Sequence, residues 1–104
     1  MKEITVQELK QKIDNKEDFQ LIDVREEYEY ETGNLNGMLI PMGHVFDQFE
    51  RISKEKTVIV HCKSGRRSAV IIAELEKRYG YTNLYNLKGG ILAYANEIDS
   101  SVKV

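Results

Sequence analysis

Apolar positions along this chain switch repeatedly between helical spacing and short continuous runs, and each switch marks the edge of an element. In the stretch from Thr5 to Ile13, residues Val6, Leu9 and Ile13 share one helical face. Thr5 with Glu8 three residues on has the form of a capping box, so a first short helix is predicted there. Phe19-Gln20-Leu21-Ile22-Asp23-Val24 is a compact apolar run ending in a charged turn, the mark of a buried strand whose carboxyl end opens toward solvent. Glu26 to Glu31 reads as a short acidic helix stopped by Thr32-Gly33-Asn34, its charges forming a solvated face. Met38-Leu39-Ile40 is a short strand closed by Pro41, the only proline. Val45, Phe46, Phe49 and Ile52 then predict an amphipathic helix over 44–52.

Thr57-Val58-Ile59-Val60-His61-Cys62 carries the strongest strand signal: it is β-branched and nearly continuous, as a central parallel strand covered on both faces requires. It runs into the polar loop Lys63-Ser64-Gly65-Arg66-Arg67-Ser68. Apolar positions from Ala69 to Tyr79 mark a helix from Ser68 to Tyr79, ended by Gly80. Asn83 to Leu87 makes a last strand, Lys88-Gly89-Gly90 turns the chain beside the polar loop, and Ile91 to Ile98 forms a final helix. Strands alternating with helices imply right-handed crossovers and an α/β fold, with a mainly parallel sheet between two helical layers. Sites in such folds gather at the carboxyl ends of strands, which is where Cys62 falls.

Composition narrows the classes further. With 104 residues, 41% hydrophobic and 31% charged, the chain fits one ordinary globular domain spanning residues 1–104. A formal net charge of −2 excludes a broad cationic face for nucleic acid or anionic membrane, while leaving room for a local basic cluster that holds a small anion. The start of the sequence lacks the apolar core of a secretory signal, and no apolar run approaches the roughly 18 residues of a membrane span. The expectation is a cytoplasmic monomer that binds neither nucleic acid nor membrane.

The single cysteine, accompanied by two scattered histidines, cannot form an internal disulfide or supply a structural zinc site. Cys62 is therefore inert core or a reactive thiol, and its neighbours argue for the second. A loop between strand end and helix start can curl its N–H groups toward the sulfur, and Gly65 can adopt the positive φ that such a nest needs. The helix N-terminus adds about half a positive charge. Lys63, Arg66 and Arg67 add three cations close in sequence. Each influence favours thiolate over thiol, so Cys62 is the candidate nucleophile and Lys63, Ser64, Gly65, Arg66, Arg67 and Ser68 its substrate-binding loop.

Cys62-Lys63-Ser64-Gly65-Arg66-Arg67-Ser68 resembles the active-site loop of the rhodanese sulfurtransferases, Cys-x-x-Gly-x-Arg-Ser in many single-domain members. Three flanking stretches agree in order: Leu21 to Glu26, Gly33 to Met38 with Ile40-Pro41, and Leu87-Lys88-Gly89-Gly90-Ile91. The resemblance covers essentially the whole chain. It implies a three-layer rhodanese-like domain with a central five-stranded sheet, and a ping-pong reaction through a Cys62 persulfide. The donor would be a small molecule such as thiosulfate and the acceptor a thiol, cyanide or a sulfur-carrier protein, with no metal or organic cofactor. Two positions depart from the family: Asn34 stands where histidine is usual, and Tyr94 where tryptophan is common.

A cysteine-dependent phosphatase or arsenate reductase is the rival reading, since His61-Cys62 followed by a glycine-bearing loop and Arg-Ser resembles that signature as well. Spacing separates them. Phosphatase loops place five residues between cysteine and the phosphate-binding arginine, whereas Cys62 and Arg67 enclose four, and Ser68 occupies the arginine's place. A noncatalytic rhodanese-like binding module is a further alternative. His61 should point to the face opposite Cys62, because adjacent strand residues alternate, and it is not assigned as a base. Asp23 and Arg25 at another strand's carboxyl end are supporting residues, on the pocket rim, in a turn-stabilising hydrogen bond or in a structural ion pair.

Overall fold

The computed structural model describes residues 1–104. In chain order the elements are β1 (Glu3–Ile4), α1 (Val6–Asp14), β2 (Phe19–Asp23), α2 (Glu27–Thr32), β3 (Met38–Leu39), β4 (Thr57–His61), α3 (Arg66–Tyr79), β5 (Leu84–Leu87) and α4 (Gly90–Glu97). The five strands form one sheet in the order β1-β5-β4-β2-β3, with every pairing parallel. β4 is the central strand, flanked by β2 and β5.

Alternation along β4 divides the core in two. Val58, Val60 and Cys62 face a cluster with Ile71, Ile72 and Leu75 of α3. Ile59 faces the other way, into a cluster with Leu9 of α1 and with Ile91 and Tyr94 of α4. Both faces of β4 are therefore covered, which is why its sequence is continuously apolar rather than alternating. No helix is long and apolar enough to cross a membrane.

The first helix starts where its cap predicts. Thr5 Oγ1 accepts from the Glu8 N–H at 3.1 Å, and the Glu8 carboxylate accepts from the Thr5 N–H at 2.9 Å. Two other segments differ from the pattern-based expectation. β1 has only two residues, too few for any periodicity to register, and is held by its pairing with β5. The helix expected over 44–52 is instead two single 3₁₀ turns, Met42–His44 and Phe49–Arg51. Gln48 between them has φ −126° and ψ 17°, outside the helical region, and the Tyr81 hydroxyl donates to the carbonyls of Phe49 and Ile52 at 2.9 and 3.0 Å. Those carbonyls find a partner without a regular helix, and Val45 and Ile52 are buried all the same.

Candidate active site

The site begins where β4 ends. Cys62 follows His61 at the carboxyl end of the central strand and is fully buried. α3 starts at Arg66 rather than at Ser68, so the loop proper is Lys63-Ser64-Gly65 and the next three residues form the first helical turn. Gly65 supplies the reversal with φ at +99°, a conformation that a side chain would strain. The turn aims its donors at the sulfur: the Gly65 N–H lies 3.1 Å from Cys62 Sγ, the Ser68 N–H 3.5 Å and the Ser68 hydroxyl 3.4 Å. Burial by itself raises the thiol pKa, but the hydrogen bonds from Ser68, Gly65 and Ser64 outweigh it, and Cys62 is held below the ordinary thiol value.

The carbonyls of the loop are turned the other way. Cys62 O accepts from the Ile91 N–H and Lys63 O from the Leu92 N–H, each at 3.0 Å, so the N-terminus of α4 fixes the back of the loop. This packing needs glycine at position 90. Gly90 has φ at +62°, and a Cβ there would collide with the backbone of Lys63 and Cys62. The Gly89-Gly90 turn thus lies directly against the cysteine loop.

The three loop cations have different fates. Lys63 and Arg66 are exposed and make no ion pair. Arg67 is turned toward α2, where its two Nη atoms donate to the two carboxylate oxygens of Glu29 at 2.7 and 2.9 Å. This pair draws the Glu29 pKa down to about 2 and raises that of Arg67. The acidic run of α2 is therefore not simply a solvated face: Glu29 is a structural partner of the loop. A pocket of about 250 Å³ opens beside this pair, lined by Arg25, Tyr28, Glu29, Thr32, Lys63 and Val104. A larger cleft of about 500 Å³ involves α1 and the Asn34–Met38 segment, and none of residues 62–68 lines it.

Asp23 and Arg25 are buried, at 0% and 1% exposure; Arg25 lines the pocket beside Glu29 and Lys63, and Asp23 does not. The Asp23 carboxylate accepts from Arg25 Nε and Nη2 at 3.0 and 2.8 Å, while Arg25 Nη2 also donates to Gly33 O at 2.7 Å. The pair fastens the end of α2 to β2. His61 lies across the sheet from the sulfur, its Nε2 3.5 Å from Asp23 Oδ2, and burial holds its pKa below the usual histidine value. His61 is not aimed at Cys62 Sγ.

Residues 5–97 match the family model described as the rhodanese-like domain. The chain belongs to the rhodanese-like domain family. The chain is 35% identical over 98 residues to the putative sulfurtransferase YtwF of Bacillus subtilis (strain 168), with 93% of both chains covered. It is 37% identical over 86 residues to the tRNA uridine(34) hydroxylase of Bdellovibrio bacteriovorus, an alignment covering 77% of this chain but only 24% of that protein. The crystal structure of a rhodanese-like domain protein from Staphylococcus aureus matches with a TM-score of 0.84 and 31% identity, covering 100% of this chain and 98% of that one.

The two departures from the family pattern find ordinary places in this structure. Asn34 builds a turn, its Nδ2 donating to Tyr30 O and its Oδ1 accepting from the Asn36 N–H, at 3.0 and 2.9 Å. Tyr94 is buried in the α1–α4 cluster. Sequence reasoning missed Asn86 of β5, whose side chain reaches both Gly65 O and Ser68 Oγ. The available signal was an asparagine one residue before Leu87 in a short strand that is otherwise apolar or aromatic. Glu29 was missed because nothing local distinguishes it from the other glutamates of α2.

Proposed function

We propose that this protein moves a sulfane sulfur from an anionic donor of the thiosulfate type to a thiophilic acceptor, through a persulfide on Cys62. The observation that carries the reading is the set of donors converging on Cys62 Sγ, with the Ser68 hydroxyl standing where a phosphatase would place its arginine. A ring of N–H groups stabilises a thiolate and suits a compact sulfur anion. Ser68 holds the position of the phosphatase arginine, and the neighbouring Arg67 is committed to Glu29.

In the first half-reaction the Cys62 thiolate attacks the outer sulfur of thiosulfate. An S–S bond forms to Sγ, the donor's own S–S bond breaks, and sulfite leaves with that electron pair. In the second, cyanide or a thiolate, free or on an acceptor protein, attacks the outer persulfide sulfur, the bond between that sulfur and Sγ breaks, and its electron pair returns to Sγ as thiolate. Charge balances in both steps, and neither requires a metal or an organic cofactor. Lys63 and Arg66, exposed and unpaired, favour an anionic donor.

Intact-mass measurement after thiosulfate treatment tests the reading. Wild type should gain the mass of one sulfur, and Cys62→Ser none. Hydrolysis of an aryl phosphate that depends on Cys62, without a sulfur adduct, would replace sulfur transfer with phosphatase chemistry.

A further inference from the structure

Asn86 is 4% exposed and touches the cysteine loop at two points. Its Nδ2 donates to Gly65 O at 3.0 Å, and its Oδ1 accepts from Ser68 Oγ at 2.6 Å. The first bond decides which way the amide faces, because only its NH₂ can meet a carbonyl oxygen. Oδ1 therefore faces Ser68, and only the hydroxyl proton can join those two oxygens. The same hydroxyl lies 3.4 Å from Cys62 Sγ. It has one proton for two acceptors.

When Cys62 is a neutral thiol, the short contact to Asn86 holds that proton. Ser68 then presents a lone pair to the sulfur and accepts from S–H, giving the relay Sγ–H···Oγ–H···Oδ1. When Sγ is anionic, the stronger charge-assisted bond draws the hydroxyl proton toward it. We propose that Asn86 is a positioning residue for Cys62: by holding or releasing the Ser68 proton it makes Ser68 an acceptor toward the thiol and a donor toward the thiolate. On ionisation the thiol proton leaves to solvent, the hydroxyl rotates about its Cβ–Oγ bond, and Oδ1 gives up its hydrogen bond. Once a persulfide forms, the charge moves to the outer sulfur, and the hydroxyl can return to Asn86.

This rests on Cys62 being a reactive thiol, as in the proposed function, and it has a sign. The Oγ–H···Oδ1 bond exists in the thiol state and is lost in the thiolate, so Asn86 restrains ionisation through Ser68. Asn86 also supports Gly65, whose N–H donates to the sulfur, and that second effect does not pass through Ser68. A double-mutant cycle separates the two. The charged groups around the cysteine loop are Lys63 of the loop and Arg66 and Arg67 of α3, with Glu29 of α2 paired to Arg67 and Arg25 lining the pocket beside Lys63; His61 and Asp23 lie across the sheet. They are present in every variant, so their contributions cancel in the cycle.

The readout is the pKa of Cys62, followed by the NMR shift of its isotope-labelled Cβ and by the pH dependence of its alkylation. Asn86→Leu should increase the acidity constant about tenfold more in the otherwise native protein than in Ser68→Ala, the size of one hydrogen bond. The smaller Asn86→Ala reads the same coupling should leucine disturb the strand. Equal shifts in both backgrounds, or coupling of the opposite sign, would overturn the proposal. The titration follows Cys62 and not turnover, so it reads the coupling even in a protein that accepts no sulfur, and the two proposals fail separately.

Discussion

Arg67 and Glu29 meet through two hydrogen bonds, Nη1 to Oε1 at 2.7 Å and Nη2 to Oε2 at 2.9 Å, which join the first turn of α3 to α2. The residues are 38 apart in sequence. The pair removes one cation from the set open to a donor and, in exchange, fixes the helix whose amides face the sulfur.

Replacing Glu29 tests this pair. Its carboxyl has a pKa of about 2 in the folded protein against an ordinary 4.5, so the stabilisation is complete above the unfolded value and is lost as pH falls through the folded one. Glu29→Gln should destabilise by about 1 kcal/mol at neutral pH, since the pair is partly exposed. Denaturant titrations should show the gap to wild type closing as pH falls from about 4.5 to about 2. A gap that stays constant across that window would mean the ion pair contributes nothing.

Gly80 and Gly90 both have positive φ, at +70° and +62°, but differ in surroundings. A Cβ at Gly80 meets nothing within 4 Å, so Gly80→Ala should cost about 1 kcal/mol from backbone conformation alone. Gly90→Ala adds a collision with the backbone of Cys62 and Lys63, and should both destabilise more and depress sulfur loading of Cys62. Thermal melts with intact-mass loading assays measure both quantities. Similar behaviour of the two variants would show that the cysteine loop does not depend on its packing against Gly90.

Asp23 and Arg25 form a buried ion pair, and removing one partner leaves the other charge without compensation. Asp23→Ala should destabilise by about 3–5 kcal/mol. Because Arg25 also holds Gly33 O, hydrogen exchange should rise first in α2. A loss below 1 kcal/mol, on the same order as an exposed pair, would contradict a structural role.

Lys63 is exposed and unpaired, so its substitution should act on donor binding and leave the fold intact. Lys63→Ala should raise KM for thiosulfate several-fold with kcat little changed, and added salt should raise the wild-type KM in the same direction. 3-Mercaptopyruvate, less charged, should respond less. Equal effects on the two donors would remove the case for an anionic donor selected by charge.

The elements with strong local signals were legible in the sequence. The Thr5–Glu8 capping box, the β-branched run of β4 and the glycine that ends α3 each act within a turn or so of their own position, and the structure has all three. The placement of Cys62 at a strand end followed from the same local order, as did the separation of His61 onto the other face. Where a local pattern competed with distant partners it failed: helical spacing over 44–52 yielded to Tyr81, which bonds carbonyls 29 and 32 residues away.

The sequence by itself determined an α/β chain, most of its strands and helices, and a lone cysteine set between a central strand and a helix with glycine and cations beside it. Those features depend on dihedral preference, capping and period, all properties of neighbouring residues. Only the tertiary structure decided which loop cations remain free, that Asp23 and Arg25 are buried, and that Asn86 reaches Gly65 and Ser68. Side-chain pairs of this kind form only after β5 has docked beside β4 and α2 beside α3, and no residue's local preference specifies its distant partner. The sulfur's chemical setting around Cys62 is therefore written partly in residues far from it along the chain.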